Sequence, residues 1–550
     1  MERMTGARAL VEVLKQEGIQ CVFHLPGSQI IEILDEIYQS PIRAIMCRHE
    51  QGAAFMADGY ARALRVPGIC LSTVGPGAVN LISGVAASFK ASVPVIAITG
   101  IHNQKMLERD GFHEIDQVSL FRPVTKWSTC IHLSDKIPEL VRKAFRIALS
   151  GRKGPVHLAI PSDVSRGETD YEPVEPSKYR STLAQVCPEQ VLDRVIRLLE
   201  DSRFPVILAG GEVLWSGASK ALQDLAGSLQ VPVATTRNHP DAFPASHPLG
   251  MGLLGRGRGE AANRIMKRAD LILAVGVKFD YQTTRYNYDI IPRGAKIIHV
   301  SVDPDEVGRI YPVEMGIVCD SKAFLKDLLE KVRAMKISFG LKKIALEIKE
   351  DSQKVLDSEI DYESLPLRPE TIARTLRDLL PPDTIVTLDG GNFAKHVRRH
   401  FQCLEKNTMH YPDDFGSVGA GFPMSLGVKV AKPDRPVVCM NGDGAFLLNC
   451  QELETAVREQ INVMVVVFND SGFGNVRAYQ KLKCGGRYMC DHGNPPFGEM
   501  ARLFGAQGAQ VETLDQLKDA VKSGLKSNKP YVIDVKMTRD ALEEPGFLGL

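Results

Sequence analysis

The chain has 550 residues, too many for a single hydrophobic core, and a prior of roughly 150 residues per domain gives three or four units. Hydrophobic residues make up 44% and charged residues 24%, as in an ordinary globular protein, and a net charge of +1 supplies no long-range field for nucleic acid or an acidic membrane surface. No stretch of about 18 uninterrupted apolar residues occurs, and the opening MERMTGARALVEVLKQEG reads as a charged amphipathic helix, so the expectation is a cytoplasmic protein with small-molecule or subunit partners, no nucleic acid and no membrane.

Short apolar runs alternate with helical periodicities along almost the whole chain, which predicts an α/β fold of doubly wound parallel sheets covered by helices. The first unit, residues 1–165, shows strands at CVFHL, AIMC, ICLST and VPVIAIT, a helix over 50–64, and an end near HLAIPSDV. Residues 164–188 turn polar and proline-dotted, which is linker composition. A second unit, 189–335, carries PVILAGG, VPVATT, LILAVGVKF and KIIHVSVD, and a long charged helix over 321–358 leads out of it. The third unit, 366–545, carries DTIVTLDGG, PVVCMNGDG, VMVVVFND and PYVIDVKM. The 11 cysteines form no CxxC pair, so neither zinc nor disulfides are indicated.

The chemistry concentrates where PVVCMNGDG, the amphipathic FLLNCQELETAVREQ and VMVVVFND make a βαβ unit. Parallel neighbours about 4.8 Å apart end on the same sheet edge, where open α/β sheets bind ligands. Asp443 and Asp470 then face each other. Two acids so placed repel and lose hydration unless a cation lies between them, and a hard divalent ion, magnesium or calcium, is the natural partner. Magnesium completes its shell with phosphate oxygens, and the bare Gly442 and Gly444 leave room for a diphosphate.

The segment GDGAFLLNCQELETAVREQINVMVVVFNDSG resembles the thiamin diphosphate and magnesium signature of thiamin-diphosphate-dependent enzymes, and HEQGAAFMADGYAR is similar to the acetolactate synthase superfamily. The resemblance implies a pyrimidine-binding, a central Rossmann-like and a diphosphate-binding domain. It implies Mg2+ held by Asp443, Asp470 and the carbonyl of Gly472, where most relatives have asparagine at the position of Asp470. Around the diphosphate it implies Gly442, Gly444 and Ala445, with Gly391 and Asn392 of LDGGN. In DDFGSVGAGFPMSLGV, it implies that Gly416 and Val418 grip the aminopyrimidine ring. Read alone, Glu50 is a first-turn acid favoured by the helix dipole; the resemblance makes it the catalytic acid that shares a proton with that ring.

Substrate is read less directly. His113 in RDGFHEIDQ stands where relatives carry a glutamine and is an orienting or acid/base candidate; His24, Ser28 and Phe473 are further pocket candidates. In the central unit VKFDYQTTR keeps Phe279 and Asp280 but lacks the Asp-Arg that follows them in flavin-bearing relatives. Arg256 and Arg258 replace the flavin loop, which speaks against FAD and leaves ADP or coenzyme A open. The implied reaction is decarboxylation of a 2-oxo acid with carboligation. The alternatives are a 2-hydroxyacyl-CoA lyase, an oxalyl-CoA decarboxylase or an aldehyde lyase with the same cofactor, and, in a different class, a catalytically silent regulatory subunit. The resemblance also implies a homodimer or homotetramer with its active site at the subunit interface.

Overall fold

Strands buried on both faces read as continuous apolar runs, and Val95–Ile101 and Met464–Asn469 are buried at every position. The computed structural model describes residues 2–181, 183–255, 259–412, 414–486 and 488–541, and in it such strands build three six-stranded sheets. In the first, the order is Arg43–Met46, Cys21–His24, Gly68–Ser72, Val95–Ile101, Val156–Pro161 and Trp127–Cys130, all parallel. The third runs Met409–His410, Ile385–Leu388, Val437–Gly442, Met464–Asn469, Tyr531–Lys536 and Gln507–Val511, again all parallel. Both repeat one chain order, 2-1-3-4-6-5. The central sheet has the order 3-2-1-4-5-6, from Gly250–Leu253 through Pro205–Ala209 and Leu271–Val275 to Met315–Val318. Where each order reverses, the flanking connections leave on opposite faces and open a crevice at the strand ends.

The first and third units pack through one pair of helices. Glu50–Leu64 lies on Gly421–Ala431, with Gly59 against the Met424 carbonyl and Gly427 against that of Met56, so no Cβ fits at either crossing point. One core runs through both units, joining Phe23 and Ala57 to Phe422 and Phe446. The central unit closes around its own core, including Leu208, Leu222 and Ile272.

Several elements depart from the sequence reading. The N-terminal helix starts only at Gly6, capped by the Thr5 side chain, because Glu2–Thr5 pairs antiparallel with Glu168–Tyr171; that second strand lies inside the segment read as linker. The long charged helix is two, Ser321–Met335 and Lys342–Ser358, because Lys336 takes a left-handed cap (φ 58°) and Phe339 packs onto the central core. The segment after Asp443 is likewise two helices, Asp443–Asn449 and Glu452–Arg458. Among the described residues no helix is long and apolar enough to cross a membrane.

Candidate active site

The crevice of the third sheet opens between Ile385–Leu388 and Val437–Gly442. Asp389 follows the first of these strands and is fully buried; its carboxylate accepts the amides of Gly390 at 2.7 Å, Gly419 at 3.1 Å and Gly421 at 2.6 Å. One side chain thus ties the glycine-rich loop to the strand end. Burial pushes the Asp389 carboxyl up to about 6 against the pull of those amides. Within the loop Gly416 and Gly419 take φ of 74° and 89°, the left-handed region that favours glycine. Val418 between them is half-exposed toward the cavity.

The second strand delivers Asp443, 1% exposed. Its Oδ2 accepts the Gly472 amide at 3.1 Å and Asn494 Nδ2 at 2.7 Å, and Asn494 also bonds Asn469 Oδ1 at 2.9 Å. Asp470 follows the neighbouring strand Met464–Asn469 and accepts Arg477 Nη1 on Oδ2 at 2.7 Å. Burial, and then the charge of Asp443, push the Asp470 carboxyl up to about 6 even with Arg477 beside it.

These residues wall a cavity of about 710 Å³. Every cofactor residue expected from the third unit lines it: Gly391 and Asn392, Gly416 and Val418, the stretch 442–445, Asp470 and Gly472, and so does Phe473. The cavity reaches the central unit at Lys278, Asp280 and Arg309 and the first unit at Lys90 and Arg152. Open space lies where a Cβ would stand at Gly416 and at Gly390, a cradle shaped for something other than side chains. Among the described residues no three His, Cys, Asp or Glu gather as a metal cage. A cation here would draw on Asp443, Asp470 and a backbone oxygen and take the rest of its shell from a ligand, which suits magnesium with a diphosphate.

The first-unit candidates stand elsewhere. Glu50 opens the helix Glu50–Leu64, is 6% exposed, and accepts Asn80 Nδ2 on Oε2 at 3.0 Å. His113 is exposed, stacks on Phe112 and rests its backbone against Gly75, just before the helix Pro76–Ala91 that carries Asn80. His24 ends a strand of the first sheet, and burial, with Arg458 nearby, drives its imidazole down to about 4. Ser28 is exposed and donates to Gln29. All four belong to the first unit, and none lines the third unit's cavity. Within one chain Glu50 therefore does not share a wall with Asp443. Arg256 and Arg258 lie outside the described residues. Sequence reasoning did not single out Asp389, Asn494 or Arg477; Asp389 alone had a signal, as the acid of LDGGN.

Three family descriptions match in turn: "Thiamine pyrophosphate enzyme, N-terminal TPP binding domain" over residues 4–120, "central domain" over 192–328 and "C-terminal TPP binding domain" over 389–535. The chain belongs to the thiamine pyrophosphate enzymes. The N-terminal match holds the Glu50 cluster and the C-terminal match the Asp443 cavity. Over 97% of its length the chain is 36% identical to a "Probable acetolactate synthase large subunit" of Methanocaldococcus jannaschii, covering 92% of that protein. It is 33% identical to an "Acetolactate synthase" of Arthrospira platensis, with 98% of this chain and 95% of that one aligned. With "Acetolactate synthase isozyme 2 large subunit" of Escherichia coli K12 it shares 32% identity over 98% of this chain and 96% of the other. This thiamine pyrophosphate enzyme therefore matches those relatives through all three sheets.

Proposed function

We propose that this thiamine pyrophosphate enzyme is an acetolactate synthase-like carboligase that decarboxylates a 2-oxo acid and joins the remaining acyl unit to a second carbonyl compound, with Mg2+ as its metal. The observation that carries the reading is the division of labour: the third unit's cavity is lined by the residues this reading gives to the diphosphate and the metal, while the one buried glutamate expected to share a proton lies in the first unit. Thiamin diphosphate, when bound, supplies the carbanion that attacks a 2-oxo acid and takes up the electrons left when carbon dioxide departs.

The chain's own residues bind, orient and hold protons. Asp443, Asp470 and the Gly472 carbonyl are the metal ligands of this reading; Gly391, Asn392, Gly444 and Ala445 line the place for the diphosphate, and Gly416 with Val418 the ring end. Glu50, screened from water, holds or releases its proton at Oε1, since Asn80 engages Oε2. That separation supports a homodimer or homotetramer in which units 1–165 and 366–545 of different copies complete each site. A cytoplasmic location belongs to the same proposal.

In this proposal the central crevice carries no flavin. Between Pro205–Ala209 and Leu271–Val275, where a dinucleotide pyrophosphate would lie, Glu212 accepts Ser301 Oγ at 2.7 Å and the Val302 amide at 3.0 Å. Asp303 and Asp320 line the same space, which is only about 90 Å³. A second reading, a coenzyme A thioester as substrate, is favoured by Lys278 and Arg309 on the main cavity.

The test is a product assay with pyruvate, benzoylformate, oxalyl-CoA and a 2-hydroxyacyl-CoA, with and without thiamin diphosphate and Mg2+. Product from a free 2-oxo acid that needs both additions is the expected result. Turnover of the thioesters alone moves the assignment to the second reading. Cofactor capture without product from any of them would make the protein a silent subunit.

A further inference from the structure

The paired carboxylates of the third crevice have a counter-charge set behind the cavity wall. Arg477, on the helix Gly474–Lys483, is 3% exposed and does not line the cavity. Its Nη1 donates to Asp470 Oδ2 at 2.7 Å, and its Nη2 to the carbonyls of Asp470 at 3.3 Å and Ser471 at 3.4 Å. Nε and Nη2 both reach Asp491 Oδ1, at 2.9 and 2.6 Å. Arg539 adds bonds to the same two carbonyls at 3.0 and 3.3 Å. Between them lies Ser471 at φ 54°, a conformation that a serine holds only when its surroundings fix it.

Charge decides what the guanidinium is for. Asp443 and Asp470 carry two negative charges into a buried wall, and a diphosphate brings more; one divalent cation offsets only part of the total. We propose that Arg477 is a positioning residue for the metal and diphosphate end of the site: paired with Asp470 it makes that acid electrostatically equivalent to a neutral amide, and it pins the turn 470–472 on the cavity wall. No hydrogen bond among the described residues engages Asp470 Oδ1, which leaves one oxygen of the paired acid for a cation. The inference rests on the metal-ligand reading of Asp443 and Asp470 given above.

A double-mutant cycle tests it, read by calorimetry of thiamin diphosphate titrated into the full chain at saturating Mg2+, with melting temperatures alongside. Arg477→Met leaves a buried carboxylate unpaired and should weaken capture by about tenfold or more. Asp470→Asn combined with Arg477→Met removes both charges at once and should bind within about threefold of Asp470→Asn alone. Arg477→Lys, with the charge but not the fork, should fall between wild type and Arg477→Met. Arg477→Met binding within twofold of wild type overturns the proposal, as does a folded double variant no better than Arg477→Met. Should Arg477→Met fail to fold, the double variant decides: one that folds and captures the cofactor supports the role, and one that does not overturns it. A wild-type chain that captures no thiamin diphosphate overturns the function above instead, so the two failures are told apart.

Discussion

Glu452, fully buried in the third unit, accepts the backbone amides of Arg48 and His49, the two residues before Glu50, each at 3.1 Å. Its second oxygen takes the Thr455 hydroxyl at 2.7 Å. A helix that begins at Asp443 on one cavity is thus followed by a helix that fixes the entry to the glutamate of another crevice.

Burial raises the Glu452 carboxyl to about 7, above the ~4.3 of an exposed glutamate. The folded protein then binds this proton more tightly than the unfolded chain, so its stability falls as pH climbs from about 4.3 to about 7. Glu452→Gln keeps an acceptor for the two amides and has no proton to lose; melting temperature against pH should decline less steeply over that window than in wild type. An identical slope would refute the assignment. Glu452→Ala strands both amides and should cost about 1–3 kcal/mol in denaturant unfolding.

Glu50→Gln should lower kcat by about a hundredfold or more, the usual range for a lost acid/base group, while calorimetry shows thiamin diphosphate still binding. Asn80→Ala, which frees Oε2, should lower kcat by a smaller factor with KM little changed. Equal kcat in Glu50→Gln and wild type removes Glu50 from the chemistry.

Asp443→Ala should abolish Mg2+-dependent capture of the cofactor, because the remaining wall offers Asp470 alone. Normal affinity in this variant would place the metal elsewhere.

Two neighbouring glycines separate backbone strain from crowding. At Gly416 a Cβ meets open space, so Gly416→Ala carries the left-handed penalty alone, about 1–2 kcal/mol. At Gly419 the Cβ would stand 2.8 Å from Leu448 Cβ and 3.0 Å from Asn449 Nδ2, adding about 1–3 kcal/mol of overpacking. Chemical denaturation should rank Gly419→Ala below Gly416→Ala; the reverse order would contradict the loop geometry.

The α/β class, the three units and the loops from Asp443 to Gly472 were readable because each depends on short-range spacing: an apolar run, a glycine turn, a second apolar run. Edge strands such as Trp127–Cys130 and Gln507–Val511 escaped, since partial exposure breaks the continuous apolar pattern. Glu452 and Arg48 are some 400 residues apart in sequence, and no periodicity encodes such a contact. Nothing in the sequence sets Arg477 apart from its charged neighbours; only the folded turn brings it onto Asp470. The resemblance marked Glu50 as the acid, and its place in the first unit already set it apart from Asp443 in the third; its bond to Asn80 is seen only in the fold.

The central claim, that one copy's Glu50 completes another copy's Asp443 cavity, is tested most directly by mixing two inactive variants. Glu50→Gln and Asp443→Ala, co-expressed and purified together, form mixed dimers in which one of the two sites has both residues intact. With random pairing, carboligase activity should recover to about a quarter of wild type. A mixture as inactive as its parents, with mixed dimers demonstrated by mass spectrometry, would contradict it.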